Sequence, residues 1–280
     1  MIENINWYPG HMKKTRALIT ENLKLVDAVV EVIDARIPVS SRNPVIDEIT
    51  AGKPRVIAFN KSDLSDGYAN EAWMKKLSGE GVRPVQMNCV SGSGVKALFS
   101  ELEKMKAEKN SKKASNRPFR MMIVGVPNVG KSSLINRMTG KKSTQVGDKP
   151  GVTRGKQWLT LKNGMQLLDT PGILWPKFED PKVGLDLAFC GSIKDEILDT
   201  SDLAFELIKV LMKDYADLIT ARYKLDELGE EPLEVMDAIA LKRGFIMSGK
   251  RIDYERTGRT ILDEFRAGKI GRVTLERPAE

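Results

Sequence analysis

The sequence holds only two cysteines, Cys89 and Cys190, and one histidine, His11, in 280 residues. Two thiols make no disulfide framework. One imidazole and two separated thiols make no zinc site by spacing. No apolar run approaches the ~18 residues of a membrane span. The opening MIENINWYPGH lacks the apolar stretch of a secretory signal. These absences lead to the expectation of a cytoplasmic protein with no membrane contact. Its hydrophobic content of 41% suffices for one large or two ordinary domains.

Charge is present but unevenly placed. The net charge is +7; residues 1–175 carry 28 Lys and Arg against 16 Asp and Glu, and residues 176–280 carry 17 against 22. A basic surface favours a polyanionic partner, although a lysine-rich solvated exterior produces the same tally.

The stretch around which the rest is organised is Gly125–Ser132, GVPNVGKS. An apolar run, Phe119–Val124, precedes it, and a helical pattern, Ser133–Gly140, follows. Strand, glycine-rich turn and helix are the setting in which G-x-x-x-x-G-K-[ST] binds phosphate. Gly125 and Gly130 let consecutive N–H groups, through Asn128, Val129, Gly130 and Ser133, turn toward one anion. The helix adds its positive dipole end. Lys131 is placed to reach the β- and γ-phosphates and Ser132 to ligate Mg²⁺.

Around this unit the pattern alternates. Met12–Val26 reads as an amphipathic helix after a turn at Asn6–His11. Strands are expected at Ala28–Asp34, Arg55–Phe59, Val82–Met87, Phe119–Val124, Gln157–Leu161 and Met165–Leu168, the last two joined by an Asn163-Gly164 hairpin turn. Helices are expected at Pro44–Ile49, Tyr68–Leu77 and Gly94–Met105, and Lys104–Arg120 reads as a basic linker. Strands interleaved with helices argue a doubly wound, mostly parallel α/β sheet. Beyond Trp175 the pattern turns helical, with Asp199–Tyr223, Pro232–Arg243 and Tyr254–Ala267 as helices and a short strand at Arg272–Leu275. The expected division is 1–178 and 179–280.

Two further motifs stand at strand ends, where α/β folds place ligand loops. In Asn60-Lys61-Ser62-Asp63, the Asp63 carboxylate can accept from N1–H and N2–H₂ of guanine and would repel the acceptor edge of adenine. Asn60 can bond the other base edge, and the Lys61 stem can lie over its face. Asn88-Cys89 can offer a backbone N–H to O6. In Asp169-Thr170-Pro171-Gly172, Asp169 matches an acid that holds Mg²⁺ through water, and the Gly172 N–H can meet the γ-phosphate. Thr153 can add a hydroxyl to Mg²⁺. Together these describe a GTPase with its motifs out of order: the guanine loops precede the phosphate loop, and the chain leaves the domain just after DTPG. That is a circular permutation of the Ras-like order.

NWYPGHMKK, DARIP at 34–38, NKSDL, GVPNVGKSSLIN, PGVTRGKQW and LLDTPGILWP, in this order, resemble the ribosome biogenesis GTPase A (YlqF-like) family. The resemblance covers residues 1–180 closely, and the helical tail agrees in size. It implies a GTP-hydrolysing factor that acts late in large ribosomal subunit assembly, binds the subunit and its rRNA, and leaves on hydrolysis. A monomer is expected. Two alternatives stay open: a permuted GTPase serving another RNA task, and an RNA-binding module that senses nucleotide without useful hydrolysis. The last base loop often reads Ser-Ala in the family and is Asn88-Cys89 here, a mild departure because the backbone does the binding.

Three further expectations follow. Asn128 inside the phosphate loop makes K⁺ a candidate second cation, against a role in the turn alone. Ile173 stands where Ras-like enzymes carry the glutamine that orients water, and it cannot do so. In the unpermuted order the segment before the Ala28–Asp34 strand is the switch helix, which makes His11, at the start of that segment, the candidate catalytic group; the resemblance points to the same residue. Leu241–Arg277 turns basic again, and Lys250, Arg251, Arg256 and Arg259 are the candidate RNA face.

Overall fold

The computed structural model describes residues 9–79, 81–112, 117–140, 158–170 and 180–278. The chain forms two compact units, Met1–Glu179 with Glu276–Glu280, and Asp180–Leu275.

The first unit is built on a sheet of β1 (Ala28–Asp34), β2 (Arg55–Asn60), β3 (Val82–Gln86), β4 (Arg120–Val124), β5 (Trp158–Thr160) and β6 (Gln166–Leu168), in the order β3-β2-β1-β4-β6-β5. All neighbours are parallel except β5 with β6. β1 is buried along its whole length, as a central strand covered on both faces must be. On one face Val29, Met122, Val124 and Leu168 pack with Ile19, Val26 and Ile46, which come from or follow α1 (Pro9–Leu23) and lie in α2 (Pro44–Thr50). Further along the same face Ile33, Ile57 and Phe59 pack with Trp73 of α3 (Gly67–Leu77). The alternate residues Val30, Val32, Val56, Ala58, Met121 and Ile123 are equally buried.

Two expectations are corrected here. The first helix begins at Pro9 rather than Met12; proline fits a first helical position because its missing N–H has no partner there anyway. Hence His11 belongs to the helix's first turn. The helix after β3, α4, runs Val95–Lys112, past its expected end at Met105 and into the stretch read as a linker, because Ala, Glu and Lys there are good helix formers. The hairpin between β5 and β6 is as expected: Gly164 takes φ +79° and its N–H donates to Leu161 O (3.0 Å).

The second unit holds α6 (Pro181–Phe189), α7 (Thr200–Asp214), α8 (Ala216–Tyr223), α9 (Pro232–Arg243) and α10 (Tyr254–Arg266). The Asp199–Tyr223 stretch is two helices broken at Tyr215, and its cap is Asp199, whose carboxylate accepts the Ser201 and Asp202 N–H groups. Residues 272–275 form no strand; a small hairpin, β7 (Ile246–Met247) with β8 (Arg251–Ile252), stands between α9 and α10 instead. The α10 helix crosses close to α7, where a Cβ on Gly258 would lie 2.7 Å from Thr200 O. Glu264 on α10 is held by Arg222 (2.6 Å) and Arg243 (3.0 Å). Among the described residues no helix is long and apolar enough to cross a membrane.

Candidate nucleotide site

Parallel pairing brings the carboxyl ends of β1, β2, β4 and β6 to one edge; Asp34 is opposite Asn60 and Glu31 opposite Val124. The loops that leave this edge carry the sequence motifs. After β4, residues Gly125–Gly130 turn into α5 (Lys131–Thr139). Gly125 takes φ +148° and Gly130 φ +105°, and a Cβ would fall 2.4 Å from Val32 O at the first and 2.3 Å from Asn60 Nδ2 at the second. Both positions therefore exclude a side chain. Val126 and Val129 are buried and anchor the loop. The Lys131 ammonium donates to Val126 O at 2.6 Å, folding back across the loop it serves. Asn128 takes φ +59°, a left-handed conformation that Asn tolerates better than most residues.

The guanine loops are joined to this one through Asn60. Its Nδ2 donates to Val129 O (2.6 Å), and its Oδ1 accepts the Cys89 N–H (2.9 Å). The two groups that the sequence assigned to the base edge, the Asn60 carboxamide and the Cys89 amide, are thus bonded to one another. The physical reason is burial: Asn60 is 3% exposed, and a buried amide must be satisfied. The Asn60 side chain braces the three loops together. Arg137 on α5 adds a second tie, its Nε donating to Cys89 O (3.1 Å) and its Nη2 to Val90 O. Asn88 turns the last loop by accepting the Val90 and Ser91 N–H groups (2.8 and 2.9 Å). The Cys89 thiol is buried, which pushes its pKa up to about 12, so it is a packing group rather than a nucleophile.

Asp63 is exposed, while the residue before it is fixed. Ser62 N and Oγ both donate to Met87 O (3.1 and 2.9 Å). Asn70 of α3, 1% exposed, donates to Ser62 O (3.1 Å) and accepts from Ser65 Oγ (2.7 Å). Sequence reasoning missed Asn70, Arg137 and Asp34; an aspartate at a strand end in DARIP was the one available signal.

At the end of β6, Asp169 is half-buried. Burial raises its pKa, against which the Lys131 cation and the Thr170 N–H act in the lowering direction. Thr170 Oγ1 bonds Ile123 O and ties this loop to β4. A carboxylate and a hydroxyl are hard oxygen donors of the kind Mg²⁺ takes, and Asp169, which feels the Lys131 charge, and Ser132 are both half-buried. Among the described residues no three His, Cys, Asp or Glu side chains gather into a metal cage. Thr153, Gly172 and Ile173 lie outside the described residues.

In the second unit Lys250, Arg251, Arg256 and Arg259 are all exposed. Lys250, at φ +60°, and Arg251 belong to the β7–β8 hairpin. Arg256 stacks over Phe245 at 4.4 Å, and Arg259 pairs with Glu255 at 2.9 Å.

The sheet order, the phosphate loop after a central strand and the guanine loop on a strand that precedes it in the chain define a circularly permuted P-loop GTPase. A family model described as "50S ribosome-binding GTPase" matches residues 120–238, starting at the first residue of β4, where an unpermuted G domain begins. The chain is 45% identical to the ribosome biogenesis GTPase A of Bacillus cereus over 99% of this chain and 95% of that one. Identity is 33% to that of Thermotoga maritima (99% and 95%) and 33% to the mitochondrial ribosome-associated GTPase 1 of Bos taurus (97% and 88%). A GDP-bound YlqF structure superposes with a TM-score of 0.70 at 29% identity, covering 94% of this chain and 100% of that one. A GNP-bound YlqF from T. maritima gives 0.66 at 29% identity, covering 95% and 99%. The chain belongs to the ribosome biogenesis GTPase A family. It is an enzyme that hydrolyses GTP to GDP and phosphate.

Proposed function

We propose that this GTPase acts late in maturation of the large ribosomal subunit, binding the pre-ribosomal particle through rRNA and leaving when GTP is hydrolysed. The observation that carries the reading is the convergence of the phosphate, guanine and Asp169 loops on one sheet edge, in a chain whose relatives are named for ribosome biogenesis and whose matching family model is named for 50S binding.

In this reading the backbone of Asn128–Ser133 cradles the phosphates and Lys131 neutralises them. Asp63 reads guanine, with Lys61 against the ring; Asn88-Cys89 flanks the base loop, its Cys89 N–H committed to Asn60 Oδ1. Ser132, Thr153 and Asp169, the last through water, would hold Mg²⁺, which would supply positive charge against the phosphates. The Gly172 N–H meets the γ-phosphate. His11, in the first turn of α1, orients the attacking water. Its support is topological: α1 leads into β1, and β1 pairs in parallel with the phosphate-loop strand β4. Measuring single-turnover GTP hydrolysis with and without purified large and small subunits tests the reading. Stimulation by the large subunit alone supports it, and stimulation by the small subunit alone sinks it.

Potassium would be the second cation of this scheme; Asn128 would help hold it, and it would supply the positive charge of an arginine finger. Hydrolysis should then be faster in K⁺ than in Na⁺ buffer. Equal rates leave Asn128 with the turn role that its left-handed backbone already explains.

The RNA face is the β7–β8 hairpin and the start of α10. Reversing Lys250 and Arg251 to Glu should weaken particle binding and reduce the salt slope by about two, one for each lost phosphate contact. An unchanged slope removes these two side chains from the interface.

A further inference from the structure

The loop that follows β1, residues 34–41, lies beside the guanine loop and is bound to it. Asp34 is 1% exposed and collects four donors. Its Oδ1 accepts from Arg36 N (3.1 Å) and Nε (3.0 Å), and its Oδ2 from Arg36 Nη2 (2.8 Å) and Lys61 Nζ (2.8 Å). Burial alone would raise the carboxyl's pKa, but the Arg36 and Lys61 cations outweigh it and hold Asp34 well below the usual carboxylate range. Asp34 is therefore a fixed anion. Lys61 sits in the left-handed region at φ +59°, and its side chain keeps 24% exposure although its ammonium is tied down. The side chain is thus held at its tip while part of it stays open to solvent, two residues before Asp63.

The loop is closed from both ends. Asp34 N donates to Ser41 Oγ (3.0 Å), and Ser41 Oγ donates to Ile37 O (2.6 Å). On the outside, the Glu276 carboxylate accepts the N–H groups of Val39 (2.5 Å) and Ser40 (2.9 Å) and the Ser40 hydroxyl. Glu276 is itself fixed, because its carbonyl accepts from Trp73 Nε1 (2.8 Å), and Trp73 is buried against β1 and β2.

We propose that Asp34 is a positioning residue of the guanine site: it holds the Lys61 ammonium so that the stem is set over the base before nucleotide arrives, and Glu276 holds the loop from which Asp34 acts. An unanchored lysine samples many rotamers and loses that freedom when a base binds; an anchored one has lost it beforehand. The consequence is slower nucleotide release. The inference rests on the base-site assignment above.

The test is the dissociation rate of fluorescently labelled GDP from the full-length protein, with folding checked by thermal melting. Asp34→Asn should speed release about tenfold, and Lys61→Met by a similar factor; the double variant should release no faster than Lys61→Met alone. GDP and IDP should accelerate equally in Asp34→Asn, since Lys61 meets the ring face, which the two bases share. Asp63→Ala should instead narrow the difference between GDP and IDP. Glu276→Ala should speed release about threefold, and only when Lys61 is present. If Asp34→Asn fails to fold, the Glu276 and Lys61 pair decides by the same non-additivity. Additive effects, or a Lys61→Met variant that holds GDP as long as the unmutated protein does, overturn the proposal. An Asp63→Ala variant with normal GDP release overturns instead the base-site assignment beneath it.

Discussion

Replacing His11 with alanine should leave GTP affinity unchanged and reduce large-subunit-stimulated hydrolysis by about 10²- to 10³-fold, the range of a lost general base or water-orienting group. The residue after DTPG is Ile173, and an aliphatic side chain has no atom that can orient water. Permutation supplies the replacement from the other end of the chain. In the order β3-β2-β1-β4-β6-β5, β1 follows α1 directly and lies next to the phosphate-loop strand. An imidazole in the first turn of α1 is a group that exchanges protons at neutral pH. Because chemistry rather than binding is affected, the His11→Ala protein should remain on its particle in the GTP state. A variant that hydrolyses at the unmutated rate with large subunit present rules out His11.

Asp63→Asn should lower GTP affinity by on the order of 10³-fold and create affinity for xanthosine triphosphate, as expected where a site built around paired hydrogen bonds loses its match. The carboxylate offers two acceptors, which suit N1–H and N2–H₂ of guanine. Asparagine offers one acceptor and one donor, which suit N1–H and the C2 carbonyl of xanthine. The backbone around Asp63 should not move, because Ser62 is bonded to Met87 O and to Asn70. Competition binding with GTP, XTP and ATP reads the result. A variant that still prefers GTP to XTP contradicts the assignment, and so does an unmutated protein that binds ATP as well as GTP.

The strands were legible in the sequence because β1, β2 and β4, parallel and largely buried, are short apolar runs, and because Asn163-Gly164 marks the β5–β6 hairpin: all six lie within two residues of their expected bounds. The phosphate loop was legible because its two glycines have no substitutes at φ +148° and +105°. Interactions between loops were hidden. Asn60 was read as a base-contacting residue from its place in NKSD, but a motif does not reveal that Val129 O and the Cys89 N–H come within reach of its carboxamide. Asp34 lies 27 residues from Lys61, and Glu276 lies 236 residues from Ser40, separations at which no periodicity or spacing carries information. The α4 extension was misread because its lysines match a linker's composition as well as a helix's exposed face. The β7–β8 hairpin, two residues to a strand, is too short for alternation to register.

The central claim is that the state of the nucleotide on this sheet edge decides whether the protein stays on a large-subunit particle. Co-sedimentation with purified large subunits in GDP, GTP and a non-hydrolysable GTP analogue tests it most directly. The account predicts firm association with the analogue, weak association with GDP, and with GTP an association that decays as hydrolysis proceeds. Equal association in all three, or association with small subunits instead, would contradict it.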